Sequence, residues 1–261
     1  MMKISHEVPL CLLDESLSFN DYDYFLIHLF EQHPEYVEFF ETSKRLGRTQ
    51  ILDNSVFELG KAFDVKLFAE CVERYEPSEY IIPDVLDQAD ATIYCARKWH
   101  ENYKHLKGTK IGVVQGKTPQ LAAYCYTNLK PYVDKIAFNF MGAYLTVRST
   151  HLEKDMRNAL ERARIIDSFL ENGWIDTKMP HHLLGCSVPQ EFTFYKNLDF
   201  IKTIDTSNPV VHAMKGIKYE NWGLGHKESV KLADLINADK VDIDLNILNH
   251  NISTFKTFVG R

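Results

Sequence analysis

The sequence predicts a single (β/α)8 barrel spanning residues 1–261, in the α/β class. Three observations point there. Short apolar segments that read as buried strands recur through the chain, and several end in a polar residue: Ile51-Leu52-Asp53, Ile81-Ile82-Pro83-Asp84, Ile111 to Gln115, Leu183 to Ser187 and Ile201 to Asp205. Helix-like stretches separate most of them, the alternation expected of a parallel sheet. The 261 residues match the roughly 250 typical of one such domain. In a parallel barrel the strand C-termini converge on one mouth, so Asp53, Asp84, Gln115 and Asp205 are expected to share it.

The first strand is expected at Tyr24–Phe30, an apolar and aromatic run. Pro34 opens a helix that stops near Gly47. The strand at Gln50–Asp53 follows, then a helix over Ala62–Tyr75 with Phe63, Leu67, Phe68, Cys71 and Val72 mostly on one side, stopped by Pro77. A third strand ends at Asp84, and a long helix runs from Asp87 to Leu106 before Gly108. Lys110–Gln115 is the fourth strand. Thr118 caps the next helix, with Pro119 at its first position, and it runs to about Lys130. Val133–Phe138 is the fifth strand, and a helix follows over Leu152–Leu170, stopped by Asn172-Gly173. The sixth and seventh strands end near Ser187 and Asp205. Val210–Met214 reads as a short eighth strand and Glu228–Ile236 as a helix, while Val241–Ile252 carries mixed signals. No linker, repeat or low-complexity tract divides the chain. An open doubly wound sheet is the rival, but neither GxGxxG nor GxxxxGK[ST] occurs.

Composition narrows the class. Hydrophobic residues are 45%, enough for a sizeable core. No apolar run is long enough for a membrane span, and the first residues carry no signal-peptide core, so a cytoplasmic protein is expected. The five cysteines, Cys11, Cys71, Cys95, Cys125 and Cys186, are scattered and form no CxxC pair, against a disulfide framework or a Cys-rich zinc site. A net charge of −6 shows no global basic excess for nucleic acid. Lys44 to Arg48 and Lys104 to Lys107 are local basic candidates, with solvated helix ends the simpler reading.

Each strand-end residue has its own chemistry. A carboxylate such as Asp53 or Asp84 acts as a base, holds a donor, or caps the next helix. Gln115 carries donors and an acceptor and suits an amide-like edge. Gly112 and Gly116 flank it and let a ligand approach the backbone. Phe57 offers a flat face, with core packing as its alternative. Asp205 is flanked by Thr206, Ser207, Asn208 and Pro209, polar neighbours that favour an ionised carboxylate. His181-His182 lack a spaced third ligand, so no metal site is expected. His212 is read as structural or as a proton carrier, Lys117 as a surface lysine or a phosphate contact, and Trp222 to His226 as a loop over the mouth.

Across residues 50–210 these segments resemble, in chain order, the tRNA-guanine transglycosylase superfamily, including its phage and DNA-acting relatives. Asp53-Asn54-Ser55-Val56-Phe57-Glu58 resembles the family's DSGGFQ, Gly112-Val113-Val114-Gln115-Gly116 its GIVQG, His182-Leu183-Leu184-Gly185 its YLMG, and Ile204-Asp205 the FD pair that carries the nucleophile. The resemblance implies a (β/α)8 barrel that exchanges a purine base, with a 7-deazapurine such as 7-deazaguanine as incoming partner, or cleaves it if water enters. It implies Asp205 as nucleophile at C1′ of the sugar and Asp53 as acid/base. Asp84 would accept from the base's N–H groups, Gln115 and Gly116 would meet its carbonyl edge, Phe57 would stack, and Gly185 would line the pocket. No cofactor is implied. The substrate would be a nucleotide or nucleic acid, together with a free purine-like base. The family's paired glycines are Ser55 and Val56 here, and its CxCxxC…H zinc site, its glycine-rich segment after the fifth strand and its basic segment after the nucleophile have no counterpart. A barrel lyase or hydrolase acting on a small phosphorylated substrate, and a non-catalytic barrel that binds nucleic acid or protein, are the competing classes.

Overall fold

Strands of three to six residues with buried, β-branched or aromatic side chains pair side by side because each is joined to the next by a crossover that returns the chain in the same direction. The computed structural model describes residues 1–145, 150, 153–228, 230 and 232–261. The strands are β1 (Lys3–His6), β2 (Asp23–Leu26), β3 (Gln50–Asp53), β4 (Glu79–Ile81), β5 (Thr109–Val113), β6 (Lys135–Asn139), β7 (His181–Leu184) and β8 (Ile201–Thr206). They form one eight-stranded parallel sheet in the order β1-β8-β7-β6-β5-β4-β3-β2. This is the (β/α)8 barrel expected from the sequence, as a single domain.

The barrel is nearly closed. At the seam between β1 and β2, Asn20 and Asp21 stand in for a strand ladder. The Asp21 N–H donates to the Ile4 carbonyl and the Ile4 N–H to Asp21 Oδ2, both at 2.9 Å. Asn20 Oδ1 accepts from the His6 N–H at 2.7 Å, and its Nδ2 donates to the His6 carbonyl at 3.0 Å.

The helices are α1 (Leu13–Phe19), α2 (Ile27–Gln32), α3 (Pro34–Arg45), α4 (Val56–Leu59), α5 (Val65–Tyr75), α6 (Ala89–Tyr103), α7 (Pro119–Leu129), α8 (Lys154–Glu171), α9 (Asn208–Met214) and α10 (Leu245–Phe258). Their ends follow the sequence chemistry. Thr118 accepts from the Leu121 N–H at 3.2 Å at the start of α7, with Pro119 next. Asp64 caps α5 and Asp244 caps α10 through the backbone N–H groups two and three residues on. A 3-10 stretch, Pro189–Tyr195, takes the place of a helix between β7 and β8.

Four expectations are corrected. β1 has no counterpart among the expected strands: four residues beside the N-terminus are too few to show a period, yet Ile4 is fully buried and pairs with Ile204. The strand at Tyr24–Phe30 ends at Leu26, and Ile27–Gln32 is helical, because a continuous apolar run does not distinguish buried strand from buried helix. Val210–Met214 is not a strand but most of α9, started by Pro209 in its first turn and packed on α10 and β1. Of the helix expected over Glu228–Ile236, Leu232–Leu235 is a 3-10 turn, while Ser229 and Lys231 lie outside the described residues. Leu152, the expected start of α8, also lies outside them; Lys154–Glu171 is the described helix. The mixed stretch from Val241 begins in a 3-10 turn, Lys240–Asp242, and continues into the cap and body of α10.

The lumen is polar. Lys135 of β6 reaches across β5 to Glu79 of β4 at 2.7 Å. Among the described residues no helix is long and apolar enough to cross a membrane.

Outside the lumen His6 is buried against Phe19 and Phe255, with ring centroids 6.0 and 5.3 Å away, and neither ring nitrogen has a hydrogen-bond partner among the described residues. Burial, with Lys256 next, lowers its pKa from 6.5 to about 3. Below pH 6.5 the unfolded chain takes up a proton that the folded chain refuses, so His6 costs stability as pH falls from 6.5 toward 3. His181, lowered to about 4 by burial, acts in the same sense. Replacing His6→Leu is expected to stabilise by about 1–3 kcal/mol at pH 8, where only the unsatisfied nitrogens are relieved. At pH 5 the gain should grow by about 2 kcal/mol. Urea melts at the two pH values check this, and an equal gain at both contradicts it.

Candidate active site

Side chains alternate across a strand, so residues two apart share a face. Tyr24 of β2, Asp53 of β3, His182 of β7, and Thr203 and Asp205 of β8 contact one another across strands that are not all neighbours, which puts these side chains in the lumen. Asp205 Oδ1 meets His182 Nε2 at 2.8 Å, and His182 Nδ1 meets Thr203 Oγ1 at 2.8 Å. A carboxylate only accepts, so His182 Nε2 carries the hydrogen and Nδ1 accepts from the Thr203 hydroxyl. Burial lowers the His182 pKa against the pull of Asp205, keeping the ring neutral. The ring stacks on Tyr24, centroids 6.0 Å apart and planes 11° apart. The Tyr24 hydroxyl donates to Asp53 Oδ2, and Asp53 Oδ1 accepts from the Ser55 N–H at 2.7 Å. Two stacked rings therefore join the carboxylates of Asp205 and Asp53.

Ser55 holds a left-handed backbone, φ +59°, at the turn from β3 into α4. A side chain costs about 1–2 kcal/mol there. The turn brings Glu58 of α4 to the mouth. Burial, followed by the Glu58 charge, raises the Asp53 pKa well above the usual carboxylate range, against the hydrogen bonds from Tyr24 and Ser55.

A second polar cluster lies beside the first. Asp84 Oδ1 accepts from Asn54 Nδ2 at 2.8 Å and Oδ2 from Gln115 Nε2 at 2.7 Å. Gln115 Oε1 accepts from the Asp87 N–H at 2.9 Å, and Asn54 Nδ2 also donates to the Ile82 carbonyl. Burial pushes Asp84 up to about 6 against the bonds from Asn54 and Gln115. Asp84 and Gln115 thus already satisfy each other. A ligand reaching this edge meets their remaining lone pairs and hydrogens.

The rim carries Phe57, Phe140, Gly185 and Lys227. Phe57 is 41% exposed and meets Phe140 at 6.0 Å between centroids. Gly185 has φ +59°, and a Cβ there would stand 2.5 Å from the Phe140 ring, so only glycine fits. Lys227 Nζ lies 3.9 Å from the Phe140 centroid. Its strap, residues 220–228, is tied down by Gln190, which bonds the Leu224 carbonyl and N–H at 2.7 and 3.0 Å, and by Asp155, which accepts from the Lys227 N–H at 2.9 Å. Beneath the rim, the buried Arg162 of α8 pairs with Glu191 and donates to the carbonyls of Leu184 and Gly185, each at 2.9 Å.

The structure joins Asp53 and Asp205 through Tyr24 and His182, pairs Asp84 with Gln115, and sets Phe57 and Gly185 beside Phe140. Gly116 instead packs on α7: a Cβ there would lie 2.8 Å from the Ala122 nitrogen. His181 and His182 point to opposite faces and share no site, His181 meeting Tyr126 and the Met179 carbonyl outside the barrel. Among the described residues no group of three or more His, Cys, Asp or Glu is arranged to hold a metal ion. His212 is buried, with Nδ1 on the Asn208 carbonyl at 2.8 Å, a structural placement. Sequence reasoning missed Tyr24, Glu7 and Lys227, and gave His182 no role beyond a weighed metal ligand and a place in the segment resembling YLMG. The available signal for His182 was its period-two spacing from Leu184 in a strand next to Asp205. A groove of about 340 Å³ between α1 and α3, bounded by Lys240, contains none of the mouth residues.

No family model matches the chain, and no curated protein matches it.

Proposed function

We propose that the chain is an enzyme of the tRNA-guanine transglycosylase type, which exchanges or cleaves a base at an N-glycosidic bond of a nucleotide or nucleic acid. The observation that carries this reading is the Asp205–His182–Tyr24–Asp53 assembly in the barrel mouth. One oxygen of Asp205 is fixed by His182, while Oδ2 accepts no hydrogen bond among the described residues. That oxygen would attack C1′, the first step of a double displacement through a covalent glycosyl ester. The neutral His182 holds the carboxylate without neutralising it, because it donates a hydrogen bond rather than a proton.

The surroundings support a purine-like base. Phe57 and Phe140 present aromatic surface at the rim, and Asp84 with Gln115 presents acceptors and donors to a heterocycle's polar edge. The left-handed Ser55 stands where the resembled family has its first glycine, so the turn after Asp53 keeps a glycine-like backbone with a different residue.

Incubating the protein with DNA, RNA and mononucleotides, with and without labelled guanine or 7-deazaguanine, tests the reading. Incorporated label means exchange, and abasic sites mean cleavage. Neither product from any substrate contradicts it.

A further inference from the structure

Glu7 enters the mouth from β1, the strand hidden in the sequence. Lys3, Ser5 and Glu7 fall on alternate positions, and Ser5 stands opposite Asp205 in the β1–β8 register. The Glu7 N–H donates to the Thr206 carbonyl at 3.2 Å, so its side chain starts just beyond the Asp205 layer. Its carboxyl makes no hydrogen bond among the described residues. Asp53 differs, because both its oxygens accept hydrogen bonds. Asp205 differs too, with one oxygen on His182. Hydrogen bonds donated to a carboxylate favour its ionised form, and Glu7 receives none among the described residues.

On the glycosidic-bond reading above, we propose that Glu7 is the catalytic proton donor to the departing base. Asp205 Oδ2 forms a bond to C1′ while the C1′–N bond breaks. Its electron pair stays on the base nitrogen, which takes the Glu7 proton and leaves Glu7 anionic. In the second half, an incoming base N–H or a water O–H gives its proton to Glu7 as its nitrogen or oxygen bonds to C1′. The ester C1′–O bond breaks, and Asp205 is restored as a carboxylate. Asp53 then serves as the anchor for Tyr24 and, through the stacked rings, for His182.

The field around Glu7 supports this. Asp205 faces it from β8, Glu58 from α4, Asp53 from β3 and Lys227 from the strap. Burial first, then Asp205, Glu58 and Asp53, raise its pKa well above the usual range, against Lys227. Each of these influences except Lys227 favours the protonated carboxyl that an acid catalyst needs.

The test compares Glu7→Gln with wild type on two oligonucleotides, one carrying guanine and one carrying N7-methylguanine at the reacting position. The methylated base is cationic and leaves without protonation. With guanine the variant is expected to lose about 10²–10⁴-fold in kcat, and with N7-methylguanine less than about 10-fold. Equal losses on both, or no loss on either, overturn the role while leaving the glycosidic-bond reading standing. A wild type that releases neither base overturns both. Infrared difference spectra add a readout independent of turnover. A protonated-carboxyl stretch present in wild type at neutral pH and missing in Glu7→Gln supports the role, and its absence from wild type overturns it.

Discussion

An Arg162→Ala variant is expected to lose about 3–5 kcal/mol of folding stability. Arg162 and Glu191 are 1% and 0% exposed as side chains, and the guanidinium satisfies three acceptors at once: Glu191, the Leu184 carbonyl and the Gly185 carbonyl; Glu191 Oε1 in turn accepts from the Tyr195 hydroxyl at 2.8 Å. Burial works against the Arg162 charge, but Glu191 and Tyr195 more than offset it and hold the guanidinium protonated. Truncation strands a buried carboxylate and two carbonyls at the end of β7. The pair itself is a different matter, since burying two charges costs much of what their attraction returns. Replacing both, as Arg162→Met with Glu191→Leu, should therefore recover a large part of the loss. Chemical denaturation of the single and double variants checks this. A single variant within about 1 kcal/mol of wild type, on the scale of an ordinary surface change, contradicts the clamp.

Asp205→Asn is expected to lower turnover by about 10⁴–10⁶-fold, the scale seen when a nucleophilic group is removed. The amide keeps an acceptor for His182 Nε2, so the ring stack and Thr203 contact survive. It lacks the anionic oxygen that attacks C1′. Stability should hold or rise, because Asp205 is one of the charges that disfavour ionisation of Glu7. A stability curve measured beside the kinetics separates loss of chemistry from loss of fold. An Asp205→Asn variant that is folded and still turns over contradicts the assignment.

The fold was legible where local chemistry spoke clearly: Thr118-Pro119 opened α7, Gly173 closed α8, and the apolar segments ending at Asp53 and Asp205 are β3 and β8. It was opaque where the signal was short or ambiguous. Lys3–His6 has too few residues for a period, and Val210–Val211 reads equally as strand or buried helix. The strand-end polar residues were legible too, because a polar group closing an apolar run has few reasons to be there. Their partners were not. Tyr24 lies inside an apolar run, and nothing local marks its hydroxyl as bound to Asp53. His182 and Asp205 lie 23 positions apart, and only the β7–β8 register unites them. Lys227 arrives on a loop whose course is set by Gln190 and Asp155, contacts that no local pattern encodes.

On the proposed mechanism Asp205 forms a covalent bond to the sugar. Rapid quenching of the protein with an oligonucleotide substrate, followed by proteolysis and mass spectrometry, tests it directly. A glycosyl adduct is expected on the peptide that carries Asp205, missing from the Asp205→Asn variant. Turnover with an adduct on another residue, or with direct inversion at C1′ and no adduct, would contradict it.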